Sequence, residues 1–298
     1  MLRGLSAFPI TPVNAKGVLE CEMLAYLTER LITANVQSVG LLGSTGTYMY
    51  LNKEVRNQAI EVAQAQNNGR VPFVVGISAM RTDDAVNYAK TARALGVSAG
   101  LLSAVSYTPL TDDEVFEHFT AVATQSGLPI CIYDNPSTTH FKFSPELVAR
   151  LAQVPGIIGI KNPPQTNADL QNHLQEQRVA VTAEFAIGYS GDWVCADALI
   201  AGANTWYSVL GGSFPQICVA ITKAAQSGDI ADAKALNEQL EPIWTIFKKY
   251  SSLRVTYEML NHFEVVDVEL PKPLLALKAE DREAVIRVLQ TYPDGFFQ

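Results

Sequence analysis

The sequence predicts an α/β fold, a (β/α)8 TIM barrel with a C-terminal helical extension. Short continuous apolar runs alternate with longer amphipathic segments along most of the 298 residues. The apolar runs lack the in–out alternation of a half-exposed sheet, so they read as strands buried on both faces, as in a parallel sheet covered by helices. Their number, about eight, and their near-even spacing favour a closed barrel over an open doubly wound sheet.

In chain order the expected strands are "LSAFPI" from Leu5, "SVGLL" from Ser38, "FVVGI" from Phe73, "AGLLS" from Ala99, "PICIYD" from Pro129, "IIGIK" from Ile157, "VAVTA" from Val179 and "TWYSV" from Thr205. Between them "KEVRNQAIEVAQAQ", "TDDAVNYAKTARAL", "DDEVFEHFTAVATQ" and "SPELVARLAQ" repeat apolar residues every three or four positions, as helices do. Asn52, Thr82, Thr111 and Ser144 precede or begin such runs and supply caps. The last barrel helix is expected from Pro215 to Gln226, and "SGD" then breaks the chain. Helical segments follow: "IADAKALNEQLEPIWTIFKKY", "SSLRVTYEMLNHF" and "KAEDREAVIRVLQ". The expected organisation is a barrel over residues 1–227 and a helical region over 228–298.

Composition fits a globular enzyme, with 48% hydrophobic and 17% charged residues. A net charge of −8 argues against nucleic-acid and anionic-membrane partners. The opening "MLRGLSAFPITPVN" reads as neither a secretory leader nor a membrane span. Cys21, Cys131, Cys195 and Cys218 are unpaired by spacing and have mostly apolar neighbours, so buried thiols in a reducing cytoplasm are expected. His118, His140, His173 and His262 are scattered, and no metal site is readable.

In a barrel the chemistry gathers where strands end. Lys161 closes an apolar run and is followed by Asn162-Pro163-Pro164. Pointing inward, its amine would sit in a confined, poorly solvated mouth that disfavours charge, as a Schiff-base lysine requires. Pointing outward, it would be an ordinary solvated lysine. Tyr133 ends the preceding strand, so its phenol can stand near Lys161 and move protons, or simply pack at the rim. Between two glycines, Ser44 and Thr45 offer two hydroxyls and a freely turning backbone. That is a cradle for a carboxylate or phosphate, or a plain βα loop. The spacing is neither a dinucleotide fingerprint nor a P-loop.

Together "AFPITPV", "GSTG", "YDNP", "IIGIK", "SGDWVCADALIAGA" and the helical tail resemble the N-acetylneuraminate lyase and dihydrodipicolinate synthase family, the pyruvate-dependent class I aldolases. The resemblance spans essentially the whole chain. It implies a barrel with a C-terminal helical region, usually a homotetramer. It implies Lys161 as the Schiff-base lysine, Tyr133 as the proton-relay tyrosine, and Ser44 and Thr45 as the carboxylate-holding pair, with Thr45 also linking the relay. Tyr107 aligns with a residue that in several members crosses from a neighbouring subunit into the relay; alternatively it packs the interface. Neither metal nor organic cofactor is implied.

Several positions depart from the family pattern. Thr47 stands where an acid is usual, removing a buried carboxylate that helps hold the loop. Thr138 replaces the synthases' arginine, which argues against aspartate semialdehyde as acceptor. His140 replaces a common glycine and is either a substrate contact, an acid or base, or a solvated loop residue. Trp206 and Tyr207 are bulkier than usual, so a narrower or more aromatic pocket is expected, with Tyr207 contacting substrate. Asp134 and Asn135 break the usual Y-N-x-P order.

The expected activity is a Schiff-base lyase or aldolase of pyruvate or another 2-oxo acid, with an aldehyde as second partner. The rivals are a dehydratase of a 3-deoxy-2-oxo sugar acid working through the same imine, and a non-catalytic ligand-binding barrel. A phosphosugar-binding barrel is a further reading.

Overall fold

The computed structural model describes residues 2–297. Eight parallel strands close into a barrel in sequence order. They are β1 (Gly4–Ala7), β2 (Ser38–Leu41), β3 (Phe73–Gly76), β4 (Ala99–Leu102), β5 (Ile130–Tyr133), β6 (Ile157–Asn162), β7 (Ala186–Tyr189) and β8 (Thr205–Ser208). Closure is made by β1 on β8, with Gly4 opposite Thr205 and Ala7 opposite Ser208.

The helices wrapped around and between these strands are α1 (Cys21–Thr33), α2 (Lys53–Asn67), α3 (Thr82–Ala94), α4 (Asp112–Ser126), α5 (Pro136–Thr139), α6 (Pro145–Ala152), α7 (Asn167–Ala180), α8 (Asp192–Ile200) and α9 (Pro215–Ser227). Three of the four expected caps act as such, and at α3 the cap position is Arg81, which makes no side-chain cap bond. Asn52 accepts the Val55 N–H, Thr111 forms a capping box with Glu114, and Ser144 accepts the Leu147 N–H. Thr82 opens α3 as its first residue. Beyond α9 lie α10 (Ile230–Glu238), α11 (Glu241–Tyr250), α12 (Ser252–His262) and α13 (Ala279–Leu289), with α10 packed on α8 and α9 and α11 on α8.

One expected strand is elsewhere. "VAVTA" is the end of α7 and the turn after it, and Val179 is 77% exposed. Thr166 caps that helix, and Leu170, Leu174 and Gln177 carry its buried stripe at helical spacing, which overrides the β preference of two valines. The strand proper is Ala186–Tyr189.

Two apolar layers follow from the two-residue period of each strand. One lies between the strands and the helices. The other fills the barrel with Phe8, Val74, Leu101, Cys131, Tyr133 and Tyr207 among others. Gly40 and Gly43 make room for this filling: a Cβ there would lie 2.3 and 2.5 Å from the Phe8 ring. Among the described residues no helix is long and apolar enough to cross a membrane, no metal-holding cluster of His, Cys, Asp and Glu occurs, and the four cysteines are free thiols.

Candidate active site

Lys161 points into the barrel near its C-terminal mouth and is 5% exposed. Strand register explains its neighbours, since Tyr133 is its partner on β5 and Gly188 its partner on β7. Its Nζ lies 4.1 Å from the ring centroid of Phe8, 4.2 Å from that of Tyr133 and 5.5 Å from that of Tyr207. Among the described residues no carboxylate comes within ion-pair distance of it. Aromatic faces therefore stand in for a counter-ion and exclude water. They attract an ammonium without taking its proton or blocking its approach to a carbonyl.

The Tyr133 hydroxyl lies 3.2 Å from Ser44 Oγ and accepts from Asn135 Nδ2 at 3.2 Å. With Asn135 donating to the phenol oxygen, the phenol proton is free to point at Ser44. The Ser44–Thr45 loop is closed by its own backbone, Thr47 N–H donating to the Ser44 carbonyl at 3.1 Å. Among the described residues the N–H groups of Ser44, Thr45 and Gly46 make no backbone hydrogen bond outside the regular elements. Backbone N–H groups left open in such a turn can hold an anion.

Other expected residues stand differently. Thr45 is buried, but its hydroxyl makes no bond to Tyr133; it is the side chain of Ser44 that faces the phenol. Tyr107 is 96% exposed on the loop after β4 and makes no hydrogen bond in its own chain among the described residues. Thr138 is exposed on the short α5 and gives its hydroxyl to the Asn135 carbonyl. His140 is exposed at the end of α5 with φ 57°.

Tyr207 faces the barrel interior, its ring centroid 5.5 Å from Lys161 Nζ and its hydroxyl 3.3 Å from Cys131 Sγ. Trp206 is a correction, because adjacent strand residues take opposite faces. It points out of the barrel, and its Nε1–H donates to Asp192 Oδ1 at 2.8 Å. Of the bulky pair, only Tyr207 stands inside the barrel.

The model of the dihydrodipicolinate synthetase family matches residues 1–292. The chain belongs to that family. It is 31% identical over 292 residues to the 4-hydroxy-tetrahydrodipicolinate synthase of Methylococcus capsulatus, covering 97% of this chain and 98% of the relative. Among solved structures it resembles dihydrodipicolinate synthase from Agrobacterium tumefaciens at TM-score 0.94 and 47% identity, over 97% of both chains. It also resembles the chloride-inhibited dihydrodipicolinate synthase from Acinetobacter baumannii complexed with pyruvate, at TM-score 0.90 and 25% identity, over 97% of this chain and 98% of that one. Membership makes the chain an enzyme of the class I aldolase type, a lyase that works through a lysine imine.

Against that family frame, three supports of the site escape sequence reasoning because each needs a tertiary partner. Asn162, next to Lys161, exchanges amide hydrogen bonds with Gln177 of α7 at 2.8 and 2.9 Å, fixing the end of β6. Asp192, buried at the start of α8, accepts from Trp206 Nε1 and from the Val209 and Leu210 N–H groups, fixing the end of β8. Arg56 looks polar in its helix yet is buried. Thr47, in place of the family's usual acid, sits in the left-handed region at φ 51° with its hydroxyl facing that of Tyr257. Neither hydroxyl has a partner in hydrogen-bond geometry among the described residues.

Asp134 carries a pH-dependent cost. Burial pushes its carboxyl up to about 6, with the Phe143 N–H and the Lys142 ammonium pulling it down only in part. Its Oδ1 has no partner among the described residues. The folded value lies above the unfolded one, so the folded chain holds the proton to higher pH. Stability is full below the unfolded value and is lost as pH rises through the folded one. Asp134→Asn is expected to stabilise the fold by on the order of 2 kcal/mol at pH 8 and to change little near pH 3. Melting curves of the two proteins that stay parallel across that range would contradict it.

Proposed function

We propose that the protein is a pyruvate-dependent lyase or aldolase in which Lys161 forms the imine. One observation carries the reading: a buried amine without a counter-ion among the described residues, between three aromatic rings and beside a Tyr133–Ser44 hydroxyl pair. The Lys161 amine adds to the C2 ketone of the 2-oxo acid. Tyr133 gives its proton to the departing hydroxyl, the C–O bond breaks and water leaves. The protonated imine draws electrons from C3, whose proton passes to the Tyr133 oxygen. The resulting enamine carbon bonds to an aldehyde, or forms in the reverse direction as that bond breaks. Ser44, Thr45 and the loop N–H groups hold the carboxylate and orient the ketone. The pyruvate complex of the Acinetobacter baumannii relative supports pyruvate as the acid.

The acceptor is an aldehyde other than aspartate semialdehyde, although the related enzymes carry the synthase name. Thr138 is neutral and its hydroxyl is committed to the Asn135 carbonyl. No guanidinium stands there to grip a second carboxylate. Thr138→Arg is expected to raise kcat/KM for aspartate semialdehyde by about tenfold or more. An unchanged value would count against this assignment of acceptor specificity.

The buried Ser78–Ser103 hydroxyl pair at the ends of β3 and β4 favours a second reading, dehydration of a 3-deoxy-2-oxo sugar acid through the same imine. A homotetramer fits the exposure of Tyr107, which would then reach a neighbouring copy's relay. The test is reductive trapping: protein, pyruvate and borohydride, with the mass increase mapped by peptide. An adduct on Lys161 supports the reading. No adduct with pyruvate or with longer 2-oxo acids overturns it.

A further inference from the structure

Phe8 directly follows β1 and is 1% exposed. Its ring touches both halves of the site. Lys161 Nζ lies 4.1 Å from the ring centroid. The same ring lies along β2 and the start of the loop that carries Ser44 and Thr45. A Cβ on Gly40 would come within 2.3 Å of it, and one on Gly43 within 2.5 Å. Those two glycines admit the ring, and no side chain fits beside it at either position.

The ring has no room to retreat. The Phe8 N–H donates to the Ser208 carbonyl at 2.9 Å, which ties its backbone to the end of β8. A Cβ on Gly212 would lie 2.0 Å from the Phe8 carbonyl oxygen, so the turn after β8 presses on the same peptide. The Tyr207 ring backs Phe8 edge to face, with centroids 6.0 Å apart and planes at 69°. Tyr207 is wedged in turn, since a Cβ on Gly188 would lie 2.6 Å from its Cε2. A ring held by its own backbone and by close packing on several sides is a fixed wall, because interiors at this density transmit strain and yield little.

We infer that Phe8 is the residue that sets the size of the donor, its ring filling the space that a further carbon on C3 of the 2-oxo acid would need. The inference rests on the proposed imine chemistry and narrows the donor of that same site. In that chemistry the acid is held at two points, C2 bonded to Lys161 Nζ and the carboxylate in the Ser44–Thr45 loop. Both anchors adjoin Phe8, so the short skeleton joining them lies against its ring. The side of C3 that opens to the mouth is needed for the aldehyde carbon. A methyl group added to C3, as in 2-oxobutanoate, is left with space that the ring already occupies. Refusal of one such carbon by an apolar wall is worth a factor of about 10 to 200. The ring also faces the amine, but that contact is common to every donor. Losing it lowers the rates with all 2-oxo acids together, whereas losing the wall changes their ratio.

The test uses the full chain and an assay independent of the aldehyde, deuterium exchange at C3 of pyruvate and of 2-oxobutanoate. The parent is expected to favour pyruvate in kcat/KM by about tenfold or more. Phe8→Ala is expected to form the Lys161 adduct with both acids and to bring their kcat/KM values within about threefold of each other. Phe8→Leu keeps most of the volume and is expected to move the ratio about threefold in the same direction; it carries the test should Phe8→Ala not fold. A parent that exchanges the two acids equally well overturns the inference. So does a ratio that stays within about 1.5-fold of the parent's in a folded variant that still forms the adduct, the mark of a purely structural ring. Either result leaves the imine reading standing. No adduct in the parent chain with either acid overturns both.

Discussion

Lys161→Ala is expected to abolish the borohydride-stable adduct and to slow deuterium exchange into pyruvate by about a thousandfold or more. The size of the loss follows from the role. In the proposed role the protonated imine formed by this amine is the electron sink, and with no imine the C3 proton has nothing to acidify it. Lys161→Arg separates charge from covalency. A guanidinium keeps a cation among Phe8, Tyr133 and Tyr207 but does not act as an amine nucleophile, so the same loss is expected. Both variants are expected to fold, because among the described residues no carboxylate pairs with Lys161 and would be stranded. Exchange within tenfold of the parent, or an adduct on a different lysine, would remove Lys161 from the mechanism.

The second large effect is on stability. Asp192→Ala is expected to cost about 3–5 kcal/mol, read from denaturant unfolding. The carboxylate accepts from Trp206 Nε1 and Leu210 N–H at 2.8 Å each and from Val209 N–H at 3.1 Å. Alanine leaves these donors facing a dry gap. Burial pushes the Asp192 carboxyl up and the donors pull it back, so the group balances desolvation against directed hydrogen bonds. Asp192→Asn keeps one accepting oxygen and is expected to fall between alanine and the parent. Because Asp192 anchors the end of β8, whose Tyr207 ring lies 5.5 Å from Lys161 Nζ, exchange is expected to weaken with stability. A loss below about 1 kcal/mol for the alanine variant would mean that the backbone turn holds itself.

The strand-end positions of Lys161 and Tyr133 were readable from local pattern, while the choice between an inward and an outward side chain came only with the family resemblance. An apolar run ending in a functional residue puts that residue at the barrel mouth, and adjacent runs put two such residues side by side. The orientation of Trp206 and Tyr207 was also readable in principle, since neighbours on one strand cannot both face the pocket. β7 was hidden for a different reason. "AIGY" carries a glycine, which weakens strand character, yet a Cβ at Gly188 would lie 2.6 Å from the Thr205 carbonyl oxygen. The close approach that demands the glycine is tertiary, and the valines at the end of α7 offered a stronger local signal. The choice of Ser44 over Thr45 as the hydroxyl meeting Tyr133 depends on the turn of the loop. Arg56 depends on which face of α2 meets the barrel. Neither is written in spacing.

Closure of the barrel by β1 on β8 has a consequence for the making of the protein. The partner of Gly4 is Thr205, so the first strand waits for nearly the whole barrel to be synthesised before its second edge is covered. At ribosomal rates of about 5–20 residues per second, that wait is roughly ten to forty seconds. Throughout it the nascent sheet has two raw edges lined with apolar side chains, the condition under which strands pair with the wrong chain. Slowing translation after β4 should lengthen this exposed interval and raise the demand for chaperones, with no change in the stability of the finished molecule.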